Sequence, residues 1–320
     1  MSKMRIFLDQ AILMIVNAFL YLRHPVWFGR TALRLHRLPN VAAPKSFREK
    51  RMWRLIFDRN PLLIMFGDKL ATKAWMTDRA PELISAPTIW IAKNASDLQD
   101  KIFAKEIVIK ANRGCGQNIF IDDESCIKPE IYLKISQWMN RSYYENFGKR
   151  YWPKIDQIIF AEKYIDSNRQ SILDLNLFCC EGRVLFVVVT SGEKTKNETV
   201  AYFSADGRRI FSVENSKVYV KNWLPSDFEL PNCFERAVKL ASDLSRSIDF
   251  VRVDLMCASD HLYACEMTPL PGVGSYMQTG FVEAQMREWD LQKSWFMQTK
   301  QRAFTHTYQH ALQRQLTRKA

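Results

Sequence analysis

The sequence predicts an α+β protein, with strands and helices gathered into separate layers. Three observations carry this. Runs of β-branched and aromatic residues alternate with helix-like runs, but without the even rhythm of a doubly wound sheet. Two strand pairs are separated only by short polar turns, so they read as antiparallel hairpins rather than crossovers. Of 320 residues, 47% are hydrophobic and 25% charged, with 11 Gly and 12 Pro, which excludes a disordered, fibrous or low-complexity chain.

Taken in order, residues 6–22 are the most apolar segment. They are fewer than the ~20 apolar residues a membrane span needs and include Asp9, Gln10 and Asn17. Arg23, His24 and Pro25 follow where a secretory signal would have small residues. On a helical wheel Arg5, Asp9, Gln10 and Asn17 gather on one side; Arg23, Arg30, Arg34 and Arg37 come next, with Trp27 and Phe28 between them. This is the pattern of a helix lying in a membrane interface with arginines toward anionic headgroups, and equally of an ordinary helix packed on the body. Residues 46–80 read as helical, interrupted at Asp58-Arg59-Asn60-Pro61 because proline disfavours helix in the residue before it. A loop spans 81–87, a short strand 88–91 and a brief helix 96–103. Strands at 106–110 and 119–121 flank a glycine-containing turn at 112–118. A helix is expected at 131–144, strands at 158–165, 173–178 and 184–190, and a helix at 234–247 capped near Asn232. A second hairpin covers 251–256 and 261–267, and 281–320 is helical and basic. The expected division is a basic amphipathic segment 1–45, a helical region 46–105, a core 106–280 and a basic tail 281–320.

The charge is concentrated at the ends. The chain carries 46 Lys+Arg against 34 Asp+Glu, a net +12. Residues 1–40 hold six basic and one acidic residue, and residues 281–320 seven basic and three acidic. Both ends thus suit an anionic membrane surface, whereas no nucleic-acid motif accompanies them. The expected location is cytoplasmic, peripheral on the inner face of a membrane. The seven cysteines include no CxxC pair and read as reduced, mostly buried thiols. His306 and His310 are four residues apart without a third ligand in view, so they read as a solvated helix face rather than a zinc site.

The second hairpin is the most informative element for chemistry. With a turn centred on 259–261, Asp254 lies opposite Glu266 and Arg252 opposite Thr268 on one polar face. Two carboxylates that close repel unless a cation sits between them, and oxygen ligands suit Mg²⁺. Arg252 beside them suits charge on a transferring phosphoryl group. The same residues could equally make a structural ion-paired strand face. In the first hairpin, Lys110 is followed by Asn112-Arg113-Gly114-Cys115-Gly116-Gln117-Asn118. Gly114 and Gly116 let backbone amides approach phosphate oxygens and Lys110 adds a charge, or the segment is a plain turn. The run Phe160-Ala161-Glu162-Lys163-Tyr164-Ile165-Asp166 could offer backbone groups to a purine edge and a carboxylate to a ribose, or simply leave the core.

Together these parts resemble the ATP-grasp superfamily and, more narrowly, the TupA-like ATP-grasp proteins of surface-polysaccharide gene clusters. Further support comes from Phe47-Arg48-Glu49-Lys50, Asp58-Arg59-Asn60-Pro61-Leu62, Gly67-Asp68-Lys69, Val108-Ile109-Lys110-Ala111-Asn112 and Pro269-Leu270-Pro271-Gly272, in order across roughly residues 46–290. The resemblance implies an ATP-grasp fold in which two α+β subdomains enclose an ATP cleft. Lys69 and Lys110 would contact phosphates, and Gly114 and Gly116 would belong to the loop above them. Glu162, Lys163 and Ile165 would line the adenine hinge, with Asp166 near the ribose. Asp254 and Glu266 would hold Mg²⁺, and Arg252 would face the γ-phosphate. The implied reaction is an ATP-dependent carboxylate–amine ligation through an acyl-phosphate, adding an amino acid to a uronic-acid glycan or its lipid-linked precursor. A glycan kinase, a glycosyltransferase and a non-catalytic nucleotide-binding member of a glycan assembly complex are the rival readings. Arg113, Cys115 and Gln117 stand where the family has His, Ser and Gly, Asn176 where it often has Lys, and Thr268 where the superfamily commonly has Asn.

Overall fold

The structure, a computed structural model, describes residues 3–98, 105–114, 116–122, 128–140, 155–166, 172–192, 197–210, 222–272 and 280–318. The helices are α1 (Lys3–Arg23), α2 (Pro25–Leu35), α3 (Phe47–Phe57), α4 (Pro61–Met65), α5 (Lys69–Arg79), α6 (Lys128–Asn140), α7 (Phe234–Leu244), α8 (Gly280–Gln285), α9 (Trp295–Gln298) and α10 (Ala303–Thr317). The strands are β1 (Thr88–Ala92), β2 (Ile107–Ala111), β3 (Asn118–Ile121), β4 (Ile159–Lys163), β5 (Leu173–Cys180), β6 (Arg183–Ser191), β7 (Thr199–Phe203), β8 (Val251–Ala258) and β9 (His261–Thr268). The described residues form two units. One takes the chain up to Pro61 with that from 280 onward, and the other takes the stretch from Leu62 to 272.

The first unit is helical, and its charged residues serve its architecture. At the start of α3, Ser46 and Glu49 form a reciprocal capping box. The Glu49 carboxylate also accepts from Asn40 N (2.8 Å), Lys45 N (3.0 Å) and Arg37 (2.6 Å). Lys50 is buried and donates to the carbonyls of Met286, Arg287 and Trp289, so its ammonium caps the short 3-10 turn that follows α8. At the other end of α3, Arg59 donates to Leu55 O and Ile56 O, and Pro61 opens α4, where it needs no amide partner. Trp53, Phe57, Phe296 and Tyr308 make the aromatic core, tied by Trp53 Nε1 to Tyr308 Oη at 2.8 Å. Two of the motifs that carry the family resemblance, around Glu49-Lys50 and Asp58-Arg59, are therefore helix-end devices.

Burial favours the neutral form of Glu49, but Arg37 and the amides of Ser46, Asn40 and Lys45 outweigh it and hold the carboxyl below its usual range. A folded value lower than the unfolded one means that the stabilisation is present above about pH 4.5 and lost as pH falls through the lowered value. Glu49→Ala, which strands three backbone amides, is expected to cost about 3 kcal/mol. It should also flatten the acid limb of a plot of thermal midpoint against pH; an unchanged midpoint would contradict this role.

The second unit holds two antiparallel sheets, in the orders β1-β4-β2-β3 and β7-β6-β5-β8-β9. Alternation on the smaller sheet sends Ile107, Ile109, Ala111, Ile159 and Ala161 into a core with Ile131, Ile135 and Trp138 of α6. Val108, Lys110, Phe160 and Glu162 take its other face. The larger sheet carries α7, whose buried residues Phe234, Ala237, Leu240, Ala241 and Leu244 recur at helical spacing.

Several expectations change. The helix at 96–103 is a 3-10 turn at Ala95–Leu98, with 99–104 outside the described residues. Likewise the helix expected at 131–144 is Lys128–Asn140, and 141–144 lie outside. Strand β7 had no sequence expectation. The basic tail, expected to be helical, consists of α8, α9 and α10. Asn232 does not cap α7: Cys233 holds that position without a side-chain bond, and the Asn232 amide donates to Asp260. Cys233 and Cys257 are joined as a disulfide, and Cys179, Cys180 and Cys265 are in none. Their separation of 24 residues carries no local signal; they meet because β8 runs past the start of α7. Cys115 lies outside the described residues.

Candidate active site

The site is built on the face of the larger sheet opposite α7. In β8 and β9 the pairs are Arg252↔Thr268 and Asp254↔Glu266. Arg252 grips Asp254 with two bonds, Nε to Oδ1 at 2.5 Å and Nη2 to Oδ2 at 2.6 Å. The Thr268 hydroxyl lies 2.9 Å from Asp254 Oδ2 and 3.3 Å from Glu266 Oε1. Glu266 is 4.0 Å from both Arg252 and Lys69 and is the more exposed acid. Burial pushes the Asp254 carboxyl up to about 6, with Glu266 adding to the rise and Arg252 opposing it.

A β-bulge between Asp254 and Leu255 fixes this face. Two residues with positive φ, Ser259 and Asp260, make the tight turn of the hairpin. Near that turn Leu255 pairs with Ala264, and Cys265 is the extra residue that brings Glu266 opposite Asp254. Asp174, Asn176, Met256 and Cys265 line the same cavity. Asn176 is opposite Asp254 across β5 and β8.

Cations come from the smaller sheet and from α5. Glu162 is fully buried, and its carboxylate accepts from Lys110 at 2.8 Å and from Lys73 at shorter range. Burial raises its pKa, but Lys110 and Lys73 outweigh that and hold it ionised. Burial also lowers the pKa of Lys73, helped by the like charge of Lys110. Lys69 donates to Gly114 O at 2.7 Å. The start of α5 is set by Asp68, which accepts from Leu70 N and Ala71 N and from the Asn112 amide at 2.8 Å. Asn112 is fully buried; its side chain also donates to Asp156 O and accepts from Ile158 N, so one amide joins α5, β2 and the approach to β4.

Arg113 is buried and pinned to Gln157 and Ile155 O, which anchors the start of the glycine turn. Gly114 and Gly116 then take φ of 102° and 72°, in the left-handed region that side chains avoid. Lys163, Ile165 and Asp166 border a neighbouring cavity with Val108, Phe120 and Met256, and that cavity shares Lys73, Lys110, Asn118 and Asp174 with the first. Glu162 borders it too, but its carboxylate is spent on two lysines. Lys69, Lys110, Gly114, Gly116, Arg252, Asp254 and Glu266 line one cavity. Lys73 and Asp174 had no place in the sequence expectation, and Asn112 entered it only as part of the turn and strand motifs. Lys73 could have been found: it is four residues after Lys69 on one helix face.

The chemical capacity of the arrangement is clear from its donors. Four cationic side chains and a glycine turn border a cavity that also presents the adjacent carboxylates of Asp254 and Glu266. This suits a polyanion accompanied by a hard divalent cation.

Comparison with known proteins gives three results. The family model for TupA-like ATPgrasp proteins matches residues 49–289. No curated protein matches the chain. Solved structures similar to it include the D-alanine-D-alanine ligase of Helicobacter pylori (16% identity, 77% of this chain and 64% of that one, TM-score 0.42). The L-amino acid ligase of Bacillus licheniformis is another (14% identity, 89% and 63%, TM-score 0.43). A third is the D-alanine–D-alanine ligase of Bacillus anthracis, solved with ATP (16% identity, 80% and 69%, TM-score 0.40). The chain spans less than two thirds of the length of the first two.

Proposed function

The chain belongs to the TupA-like ATP-grasp family, and on that premise we propose that it is an ATP-dependent carboxylate–amine ligase. Its products are an amide, ADP and phosphate. Its acceptor is the carboxylate of a uronic-acid sugar in a surface polysaccharide or its lipid-linked precursor, and its donor is an amino acid. The observation that carries this reading is the Asp254–Glu266 pair, with Arg252 and Thr268 against it and Lys69 and Lys110 on the same cavity.

A carboxylate resists attack by an amine because oxide is a poor leaving group. Attack of a carboxylate oxygen on the γ-phosphorus of ATP breaks the bond to ADP and gives an acyl-phosphate. The amine then adds to the acyl carbon, phosphate leaves and the nitrogen loses a proton. Lys69 and Lys110 neutralise phosphate oxygens, and Arg252 stabilises charge on the transferring group and on the tetrahedral oxyanion. The turn carrying Gly114 and Gly116 excludes water. Lys163 and Ile165 border the adenine, and Asp166 lies toward the ribose. The donor set formed by Asp254, Glu266 and Thr268 is all oxygen, and Glu266 raises the pKa of its neighbour, so the pair is one that a cation would relieve. Asp254 and Glu266 would hold Mg²⁺, which supplies neutralisation of the triphosphate when bound. Asn176, opposite Asp254 on β5, offers a neutral hydrogen-bonding group to the same cavity.

The test is to incubate the protein with ATP, Mg²⁺, amino acids and a uronic-acid acceptor, following ADP and product mass. The expected product is heavier by one amino acid less water. A product heavier by a phosphate or a sugar would replace the ligase reading, and tight ATP binding with no ADP would leave only a binding role. Gly116→Ala is expected to raise KM for ATP about fivefold with kcat within about twofold, since the left-handed backbone costs a side chain about 1 kcal/mol. Steady-state kinetics checks this; unchanged KM would remove the turn from the site.

A further inference from the structure

Helix α1 packs one side against its unit and still leaves a second, wholly apolar side exposed. Its buried residues are Asp9, Leu13, Val16 and Leu20. Asp9 accepts from Arg314 at 2.6 Å and Arg318 at 2.7 Å, and the Asn17 side chain accepts from Val41 N and Ala42 N. The side facing the protein thus carries Asp9 among Leu13, Val16 and Leu20, with Asn17 at its edge. At 100° per residue the opposite side carries Met4, Phe7, Leu8, Met14, Ile15, Phe19 and Leu22, each more than half exposed and with no charge among them. An apolar groove bordered by Leu13, Tyr21, Leu22 and Leu38 opens beside this stripe. Seven large apolar side chains in one row exceed the scattered exposure normal for a surface.

Charge identifies what covers the stripe. Lys3, Arg5, Arg23, Arg30 and Arg34 are exposed at the ends of α1 and along α2. The one acidic residue among the first forty is Asp9, which is already held by two arginines. The rim is therefore cationic. A second copy of this chain, itself at +12, would set like rims against each other. By length and composition α1 is apolar enough to cross a membrane, but its Asp9 face is held by Arg314 and Arg318.

We propose that the outward face of α1 seats in the headgroup–acyl boundary of a bilayer containing anionic lipid, with the arginines of α1 and α2 at the phosphates. This does not rest on the ligase reading. The test is flotation of the full chain with vesicles of phosphatidylcholine alone or with about 30% phosphatidylglycerol, at low and high salt. The protein is expected to float with the anionic vesicles at least tenfold more than with neutral ones, and less at high salt. Phe7→Glu with Phe19→Glu, and separately Ile15→Asp, are expected to lower flotation at least tenfold while the thermal midpoint stays within a few degrees, since these side chains touch solvent. Three results would overturn the proposal. One is no flotation of the wild type with anionic vesicles. Another is equal flotation of folded variants. The third is a dimer in sedimentation velocity that the variants dissociate without any vesicle binding. ADP release assayed in detergent-free solution is independent of all three.

Discussion

Asp254→Asn is expected to lower ADP release by at least about a thousandfold, while the fold survives. The substitution keeps the shape of the side chain and one oxygen for Arg252 and Thr268. What it removes is the charge. Asp254 is buried, and its carboxyl is pushed up to about 6 by burial first and by Glu266 second, so its ionised form is poised for a cation and already costly without one. Neutralising it leaves Glu266 as the only carboxylate in the pair. Arg252→Ala should be equally inactive for a different reason: Asp254 loses both guanidinium bonds and its proton is held more tightly. The two variants differ in stability. Asparagine relieves a buried charge, whereas Arg252→Ala strands one, so the latter is expected to melt lower by several degrees. Turnover and thermal melts on the same preparations check both; full activity of either variant would remove this cluster from the chemistry.

The same hairpin shows how sequence reasoning can reach the right contact by an incomplete route. A turn centred on 259–261 makes Asp254 face Glu266, and they do face each other. The actual turn is the two residues Ser259 and Asp260, which alone would shift the register by one. The bulge at Cys265 restores it. Nothing local marks the bulge, since a cysteine between alanine and glutamate reads as ordinary strand. The strands themselves were legible because alternation is a local property. Contacts made at long range were not. Lys73 reaches Glu162 across 89 residues and Asp9 reaches Arg314 across 305, so a helical wheel could not find which side of α1 faced the protein. The glycine turn was legible as a turn, whereas the role of Arg113 as its anchor depends on Ile155 and Gln157. The resemblance brought out Phe47-Arg48-Glu49-Lys50 and Asp58-Arg59 as family marks, but only hydrogen bonding reveals that they shape helix ends.

Glu162→Gln is expected to be the most destabilising single change in the second unit. Glu162 lies in β4 between β1 and β2, on the face opposite the α6 core, and its carboxylate is the shared partner of Lys73 and Lys110. Glutamine offers one acceptor and turns an amide N–H₂ toward the other ammonium. The buried Lys73 and the partly buried Lys110 then face each other without that counter-charge, which costs about 3–5 kcal/mol. In a unit of this size that corresponds to roughly 10 °C in the thermal midpoint. Removing one cation should offset the loss: Lys73→Met with Glu162→Gln leaves Lys110 alone with a neutral partner, and the midpoint is expected to recover by more than half. ATP affinity should not recover with it. If Glu162 positions Lys110 for phosphate, calorimetry with a non-hydrolysable ATP analogue should find the double variant at least about tenfold weaker than wild type, a loss of one charge-assisted bond. A recovered midpoint with wild-type affinity would make the Lys73–Glu162–Lys110 group a structural ion network only, and an unchanged midpoint in Glu162→Gln would deny that the network is buried at all.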